Sequence, residues 1–208
     1  MPVTPKNAAD DCIARARALL AHAGIPGTAA GVRDDLGRLA LVMAVASVDT
    51  YMHTLILRRV SNVRSALPKA LRDLDIEFEW LTELADSTVI AQRTGRATRP
   101  WVSVKHALQE RLLRKTFQSY DEVAAALAMV GVKKAWSTVA GNLVCSPEEI
   151  KNRLNSIVHR RNQIVHEGDL RRMARPRAIQ HAPIDLMAVQ ADIDWIDQLL
   201  AAIVQVAR

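Results

Sequence analysis

The chain has little glycine, proline or aromatic character, and each shortage restricts what it can be. Only eight of its 208 residues are glycine and eight are proline, while 4% are aromatic. Alanine, leucine and arginine are frequent instead, and this usage favours helices over sheets. Half of the residues are apolar. A chain of this length and composition is expected to form one domain with a sizeable core, which excludes an intrinsically disordered protein.

Cysteine is equally scarce. The two cysteines, Cys12 and Cys145, are far apart, and neither belongs to a Cys-x-x-Cys pair. We therefore expect neither a disulfide framework nor a thiolate zinc site. The formal net charge is +6. It permits a polyanionic partner such as nucleic acid, although charge alone does not identify one.

Long apolar runs are also missing. The longest strongly apolar run covers 39–48 and is interrupted by Asp49, whereas a membrane span needs about 20 such residues. Charged residues recur between Lys6 and Arg17, so the first residues do not have the pattern of a signal peptide. We expect a soluble, cytoplasmic protein that does not use a membrane.

Apolar residues repeat every three or four positions along most of the chain, which is typical of amphipathic helices. We predict an all-α, four-to-five-helix bundle in a single domain covering 1–208. The segment at about 65–116 is long for a plain bundle, and we interpret it as an inserted helical segment. The predicted helices cover about 7–23 with Asn7 as cap, 33–63, 102–116, 121–140, 146–166 and a last helix opened by Pro183 and Asp185, with one or two short helices around 71–84.

The clearest helix start in the chain lies at Ser146. Ser146 is the expected cap, Pro147 occupies the first helical position, and Glu149 completes a capping box. Ser119 and Glu122 have the same spacing and predict a second capping box. These signals fix where two of the helices begin.

The helix that begins at Ser146 has an unusual polar face. Surface helices usually carry Lys, Glu and Arg there, but this face carries asparagine and histidine, which are poorer helix formers. Such a stripe suits hydrogen bonding to a ligand or to a twin helix. The polar stripe comprises Asn152, Asn155, His159, Asn162 and His166. The opposite, apolar side comprises Ile150, Leu154, Ile157, Val158, Ile164 and Val165.

Arg161 falls in the middle of this apolar side. A buried guanidinium needs a partner, and Asp49 is the candidate because it borders the apolar stripe of the long helix. The alternative is that Arg161 lies near a thinly covered end of the bundle and extends to water.

The segment 158–168, Val-His-Arg-Arg-Asn-Gln-Ile-Val-His-Glu-Gly, resembles the signature of the HEPN family of ribonucleases, which is an Arg, a polar residue, a few further residues and a His. It is most similar to the HEPN subgroup associated with the RiboL-PSP name. The bare Arg–His spacing also occurs elsewhere in the chain, so the context carries the resemblance. Arg161 and His166 lie on a strongly capped helix, Asn162 follows the Arg, and Gly168 is placed to end the helix.

The resemblance implies a metal-independent endoribonuclease without a cofactor, in which the ribose 2′-hydroxyl attacks the adjacent phosphodiester at a homodimer cleft. It implies that His166 is the general base or acid and that Arg161 holds the phosphate or orients the site. Asn162 would hydrogen-bond phosphate or ribose. Asp49 and His159 are candidate supporting residues, and His159 either lines the cleft or packs between the helices.

Basic residues cluster in sequence around this motif. They predict an electrostatic track for RNA phosphates, with a solvated loop as the alternative. Aromatic residues that could stack bases are few and none adjoins the motif, so we expect no sequence-specific base readout. The basic residues are Arg160, Arg171, Arg172, Arg175 and Arg177.

The resemblance further implies a toxin or phage-defence effector, held off by an antitoxin or regulatory protein. One alternative is a non-catalytic HEPN module that binds RNA or a protein. Another is a helical adaptor outside the family, in which the Asn/His stripe forms a polar dimer seam. A metal enzyme is not expected, because His159 and His166 are seven residues apart and no carboxylate completes a ligand set.

Overall fold

A computed structural model describes residues 3–62, 67–74, 78–95, 100–171 and 178–207. Over these residues the chain is all-α, as predicted, and its only extended pairing is an isolated antiparallel bridge between Leu170 and His181. The nine helices of the described part are α1 (Pro5–Ala23), α2 (Ala30–Asn62), α3 (Lys69–Arg72), α4 (Phe78–Arg93), α5 (Pro100–Leu113), α6 (Tyr120–Met129), α7 (Ala135–Leu143), α8 (Pro147–Glu167) and α9 (Leu186–Val206).

The long helix α2 lies at the centre of the bundle and contacts α1, α5, α6, α8 and α9. Its apolar repeat is buried as the spacing predicts, and it forms the middle of the core. By length and composition α2 could also span a membrane, but half of its most apolar stretch is buried inside the bundle. The buried repeat comprises Leu41, Val45, Val48, Met52 and Ile56.

Residues near the two ends of α2 show in which direction this helix runs relative to α9. At the N-terminal end, α2 passes so close to the start of α9 that a Cβ added at Gly37 would lie 2.5 Å from Leu186 Cδ2. At the C-terminal end, Leu55 of α2 and Val204 of α9 line one cavity. Helices α2 and α9 therefore run parallel, and Gly37 permits their close approach.

Helix ends mostly follow the sequence signals. Both predicted capping boxes are present, at Ser119 and Ser146. The prediction that Asn7 caps the first helix is wrong. Thr4 is the cap, and its side chain accepts a hydrogen bond from the Asn7 amide at 3.1 Å.

The prediction of one helix over 121–140 is also wrong, because the chain breaks it into α6 and α7. Gly131 adopts a φ of +91° and Lys134 lies in the left-handed region. An α-helix cannot continue through such residues. The break turns α7 so that it packs against α8 and α9.

The segment at about 65–116 contains α3, α4 and α5. Helix α4 extends to Arg93 and is longer than the short helices predicted around 71–84. It packs against α5, which in turn packs against α2. Helix α4 exposes three large apolar side chains, which are Leu81 at 51%, Val89 at 43% and Ile90 at 60%. That this segment is an insertion stays a prediction.

Candidate functional site

Helix α8 carries the motif and is fixed at both ends. At its start, Ser146 Oγ accepts a hydrogen bond from the Glu149 amide at 3.2 Å, and Glu149 accepts one from the Ser146 amide at 2.7 Å. At its end, Gly168 takes a left-handed conformation with φ +62°. Glycine adopts this conformation without the steric cost that a side chain brings. The helix therefore holds the motif residues in a fixed register.

The face of α8 that packs on the bundle is the one the periodicity predicts, with one exception. Ile150, Leu154, Ile157 and Val158 are buried. Val165, which was also expected on the apolar side, is 45% exposed. The rest of the bundle therefore shields less of α8 from solvent towards its C-terminal end, where the motif lies.

Arg161 continues the buried face into this thinly covered end. Its side chain is half-buried, and Nη1 donates a hydrogen bond to Asn162 Oδ1 at 3.0 Å. Its Nε is sealed from solvent and has no hydrogen-bond partner in the part of the chain that the structure describes. No described carboxylate forms an ion pair with it. Arg161 is thus a partly desolvated cation whose charge is left uncompensated.

The predicted pairing of Arg161 with Asp49 is wrong, because Asp49 binds other groups. Asp49 Oδ1 accepts a hydrogen bond from the Phe117 amide at 2.5 Å and lies 3.5 Å from His53 Nε2. Although burial opposes ionisation, the His53 and Phe117 hydrogen bonds hold the pKa of Asp49 below its usual value. Asp49 therefore fastens the link between α5 and α6 to α2.

The Asn/His stripe of α8 faces outwards. His159 and His166 are exposed, and neither imidazole makes a hydrogen bond within the described ranges. Asn155 Oδ1 accepts a hydrogen bond from the Tyr120 amide at 3.0 Å, so this residue has a structural task. The structure brings Arg161 and Asn162 together through a hydrogen bond, whereas no hydrogen bond joins His166 to either residue in the part of the chain that the structure describes.

A buried ion cluster next to the motif was not predicted. Asp169 is 2% exposed and accepts a hydrogen bond from Arg38 Nε at 2.6 Å. Arg160 also binds this carboxylate through both of its terminal nitrogens, with the Nη2 contact at 2.9 Å. Two cations therefore share one buried carboxylate. The cluster ties the end of α8 to α2.

This cluster changes the interpretation of Arg160, which was expected to contact RNA. Its guanidinium is engaged with Asp169, and Nη2 also donates to the Pro183 carbonyl at 3.3 Å. Arg160 therefore serves mainly to stabilise the fold through its ion pair with Asp169. One sequence signal could have revealed the cluster, because Arg38 lies three residues before Leu41 on the apolar repeat of α2 and needs a buried partner.

The loop after α8 folds back on itself at its base. The Ala182 amide donates to the Asp169 carbonyl at 2.8 Å, and the Arg171 amide donates to the Gln180 carbonyl at 2.8 Å. Arg171, an expected RNA contact, is exposed beside this pairing. The other expected RNA contacts, Arg172, Arg175 and Arg177, lie outside the described residues.

No group of three or more His, Cys, Asp or Glu side chains in the described ranges is arranged to hold a metal ion. A family model described as RiboL-PSP-HEPN matches residues 10–207 of the chain. No curated protein matches the chain, and no solved structure matches it.

Proposed function

Because the chain belongs to the RiboL-PSP-HEPN family, whose HEPN domain indicates an RNA-related function of ribonuclease type, we propose that it is a metal-independent endoribonuclease. The proposal assigns the chemistry to Arg161, Asn162 and His166 at the C-terminal end of α8. The observation that carries it is the state of Arg161.

Arg161 has the properties of a phosphate-binding group. Keeping a half-buried guanidinium without a carboxylate costs free energy, because its desolvation is not repaid. The other two arginines of α8, Arg153 and Arg160, both have carboxylate partners, and so does Arg38 of α2. A bound phosphodiester would supply to Arg161 the anion it lacks, and guanidinium groups bind phosphate oxygens in pairs.

Asn162 supports the same interpretation. Its Oδ1 accepts from Arg161, which orients the side chain and leaves the amide nitrogen to donate. Together the two residues offer a cation and a neutral donor within one turn of helix. Such fixed donors stabilise the charge that develops on phosphate oxygens during transfer.

In the proposed reaction His166 acts as the proton carrier. A base removes the proton of the ribose 2′-hydroxyl while its oxygen forms a bond to phosphorus. The bond from phosphorus to the 5′-oxygen breaks, and that oxygen takes up a proton. The products are a 2′,3′-cyclic phosphate and a 5′-hydroxyl. Histidine can serve either proton role near neutral pH.

The proposal includes a homodimer. Arg161 and His166 are five residues apart, which is about 140° around an ideal helix. They do not face the same point from one helix. A second copy of α8 related by a two-fold axis would bring the Arg of one protomer to the His of the other. RNA would then approach over the exposed Arg171.

The decisive experiment is a cleavage assay on total cellular RNA in EDTA. We expect the native chain to produce fragments ending in 2′,3′-cyclic phosphate. Arg161→Ala and His166→Ala should each reduce the rate by about 100-fold or more. His22→Ala, an exposed histidine of α1, is the matched control and should cleave like the native chain. Cleavage that survives both substitutions would overturn the proposal.

The alternative is a non-catalytic module that binds RNA or a protein. The state of His166 favours it, because an exposed imidazole without a hydrogen bond has no partner to set its tautomer. This alternative predicts that the native chain binds RNA without cutting it. It also predicts that His166→Ala leaves the affinity unchanged while Arg161→Ala weakens it.

A toxin or phage-defence role is the biological extension of the proposal. An endoribonuclease with no base-specific readout should harm its own cell unless a regulatory protein restrains it. Induced expression of the native chain in a bacterial host should stop growth, whereas His166→Ala at the same protein level should not. Equal growth arrest by both chains would contradict this role.

A further inference from the structure

His181 is an exposed histidine outside the motif, and it is fixed at the end of α8 that carries the motif. Its Nδ1 lies 3.0 Å from the carbonyl oxygen of Gly168, which follows His166 by two residues. Because a carbonyl oxygen can only accept, Nδ1 carries the proton of this hydrogen bond. The tautomer of the neutral imidazole is therefore set, and Nε2 keeps its lone pair as a hydrogen-bond acceptor.

The backbone around His181 is held in place. His181 pairs with Leu170 in the isolated antiparallel bridge. The Ala182 amide donates to the Asp169 carbonyl at 2.8 Å, and the Ala182 carbonyl accepts a hydrogen bond from Arg38 Nη2 at 2.7 Å. His181 is thus an exposed side chain on a rigid base. Catalytic groups need such support, because they must be held in position before the substrate binds.

The residue that His181 binds lies on the side of α8 that carries Arg161. The Gly168 amide still donates to the Gln163 carbonyl, so Gly168 keeps the register of the helix. It follows Arg161 by seven residues, which is about 20° short of two full turns and about 10 Å along the axis. His181 therefore binds α8 at the end of the Arg161 face. A long arginine side chain and a bound phosphodiester can together span this distance.

His166 and His181 are held in different ways. The imidazole of His166 makes no hydrogen bond in the part of the chain that the structure describes. His181 has its Nδ1 bound and its Nε2 available. The positive charge that it gains with a proton would be stabilised by the Gly168 carbonyl and by the negative end of the α8 dipole. A histidine that is oriented through one nitrogen and accepts a proton at the other is a typical general base.

We propose that His181 is the general base of the motif site, an inference that rests on the proposed nuclease function. Nε2 of His181 takes the proton of the ribose 2′-hydroxyl while that oxygen forms the bond to phosphorus. The bond from phosphorus to the 5′-oxygen breaks, and protonated His166 gives this oxygen a proton. Proton exchange with water returns both imidazoles to their starting states. The alternative is that His181 only caps the last carbonyl groups of α8.

Replacing His181 by asparagine separates the catalytic role from the capping role. The amide nitrogen of asparagine can take the place of Nδ1 and donate to the Gly168 carbonyl, but asparagine cannot take up a proton. We expect both His181→Asn and His181→Ala to reduce RNA cleavage in EDTA by about 100-fold or more. His106→Asn replaces an exposed histidine of α5 and should cleave like the native chain. Native activity in His181→Asn would refute the proposal, because the hydrogen bond alone would then suffice.

An RNA with sulfur in place of the 5′-oxygen at the cleaved bond tests the direction of proton transfer. Thiols are much stronger acids than alcohols, so the sulfur leaves as a thiolate and needs no general acid. On this RNA we expect His166→Ala to recover most of the native rate, whereas His181→Asn stays about 100-fold slower. Recovery by His181→Asn instead would make His181 the acid and would contradict its assignment as the base.

The outcomes distinguish this inference from the nuclease function on which it rests. If the native chain cleaves neither RNA, both are wrong. If the native chain and His181→Asn cleave equally while His166→Ala does not, only the assignment of His181 is wrong. Thermal melting should show that His181→Asn is as stable as the native chain, so that the loss of cleavage is not a folding defect.

Discussion

Asp169 Oδ2 accepts a hydrogen bond from Arg38 Nε at 2.6 Å, and the two residues are 131 positions apart in the chain. The contact joins the loop after α8 to the first half of α2, and Arg160 binds the same carboxylate. A single buried carboxylate thus holds together the three segments that surround the motif. Several consequences of this arrangement can be measured.

Asp169→Asn should destabilise the protein strongly. The substitution keeps the size of the side chain but leaves Arg160 without a carboxylate partner and Arg38 with only the exposed carboxylate of Asp35. Removing one partner of a buried ion pair costs about 3–5 kcal/mol. Urea unfolding would measure the difference. Asp35, the exposed second partner of Arg38 at 3.1 Å, provides the control, and Asp35→Asn should change the stability by no more than about 1 kcal/mol.

The neighbours Arg160 and Arg161 should respond in opposite ways to replacement by methionine. Arg160→Met should destabilise the fold, because it breaks the pair with Asp169. Arg161→Met should leave the stability unchanged or raise it by about 1 kcal/mol, since an uncompensated, partly buried cation is replaced by an apolar chain. Arg161→Met should nevertheless abolish RNA cleavage. Thermal melts would measure the stability of both variants, and the cleavage assay would measure the activity of Arg161→Met. If Arg161→Met destabilises the chain, Arg161 has a structural role.

The contribution of Asp49 to stability should depend on pH. Its pKa in the folded state is lowered from 3.8, so its stabilising effect is present above that value and is lost as the pH falls through the folded-state pKa. Native protein should therefore exceed Asp49→Asn in stability at pH 7, by about 1 kcal/mol. The two chains should converge well below pH 4. A difference that persists unchanged at pH 2.5 would show that the charge of Asp49 is not responsible.

Mixing two inactive variants should restore part of the activity if each site is shared between protomers. In a mixed dimer of Arg161→Ala and His166→Ala, one site lacks both groups and the other retains both. Half of the dimers in an equal mixture are mixed, so we expect about a quarter of the native cleavage rate. The chains should be unfolded and refolded together before the assay. A monomer by light scattering, with no recovery of activity, would contradict the shared site.

The sequence predicted the elements that depend on local signals. The capping boxes at Ser119 and Ser146 and the glycine stop at Gly168 lie where the spacing placed them. Local hydrogen bonds decide such positions, so a few neighbouring residues suffice. The same logic failed at Asn7, where Thr4 three residues earlier is the better-placed cap.

Features that depend on distant residues were harder to predict. Asp49 was predicted to pair with Arg161 only from the helical faces on which the two residues lie. The face of a residue does not reveal how two packed helices are positioned relative to each other along their axes. The break between α6 and α7 at Gly131 was missed because the apolar repeat continues across it. The carboxylate at Asp169 was overlooked because it follows the helix end, where an exposed loop was expected.

The paired backbone at the base of the loop after α8 has a consequence for how this protein can diversify. Backbone hydrogen bonds of Asp169 with Ala182 and of Arg171 with Gln180 join the two described ends of this loop. The cost of closing a loop grows only slowly with its length. We therefore expect that inserting a few residues between Arg171 and Gln180 would change the stability of the bundle only slightly. The stability of the bundle and the length of this stretch should therefore be able to vary independently of each other.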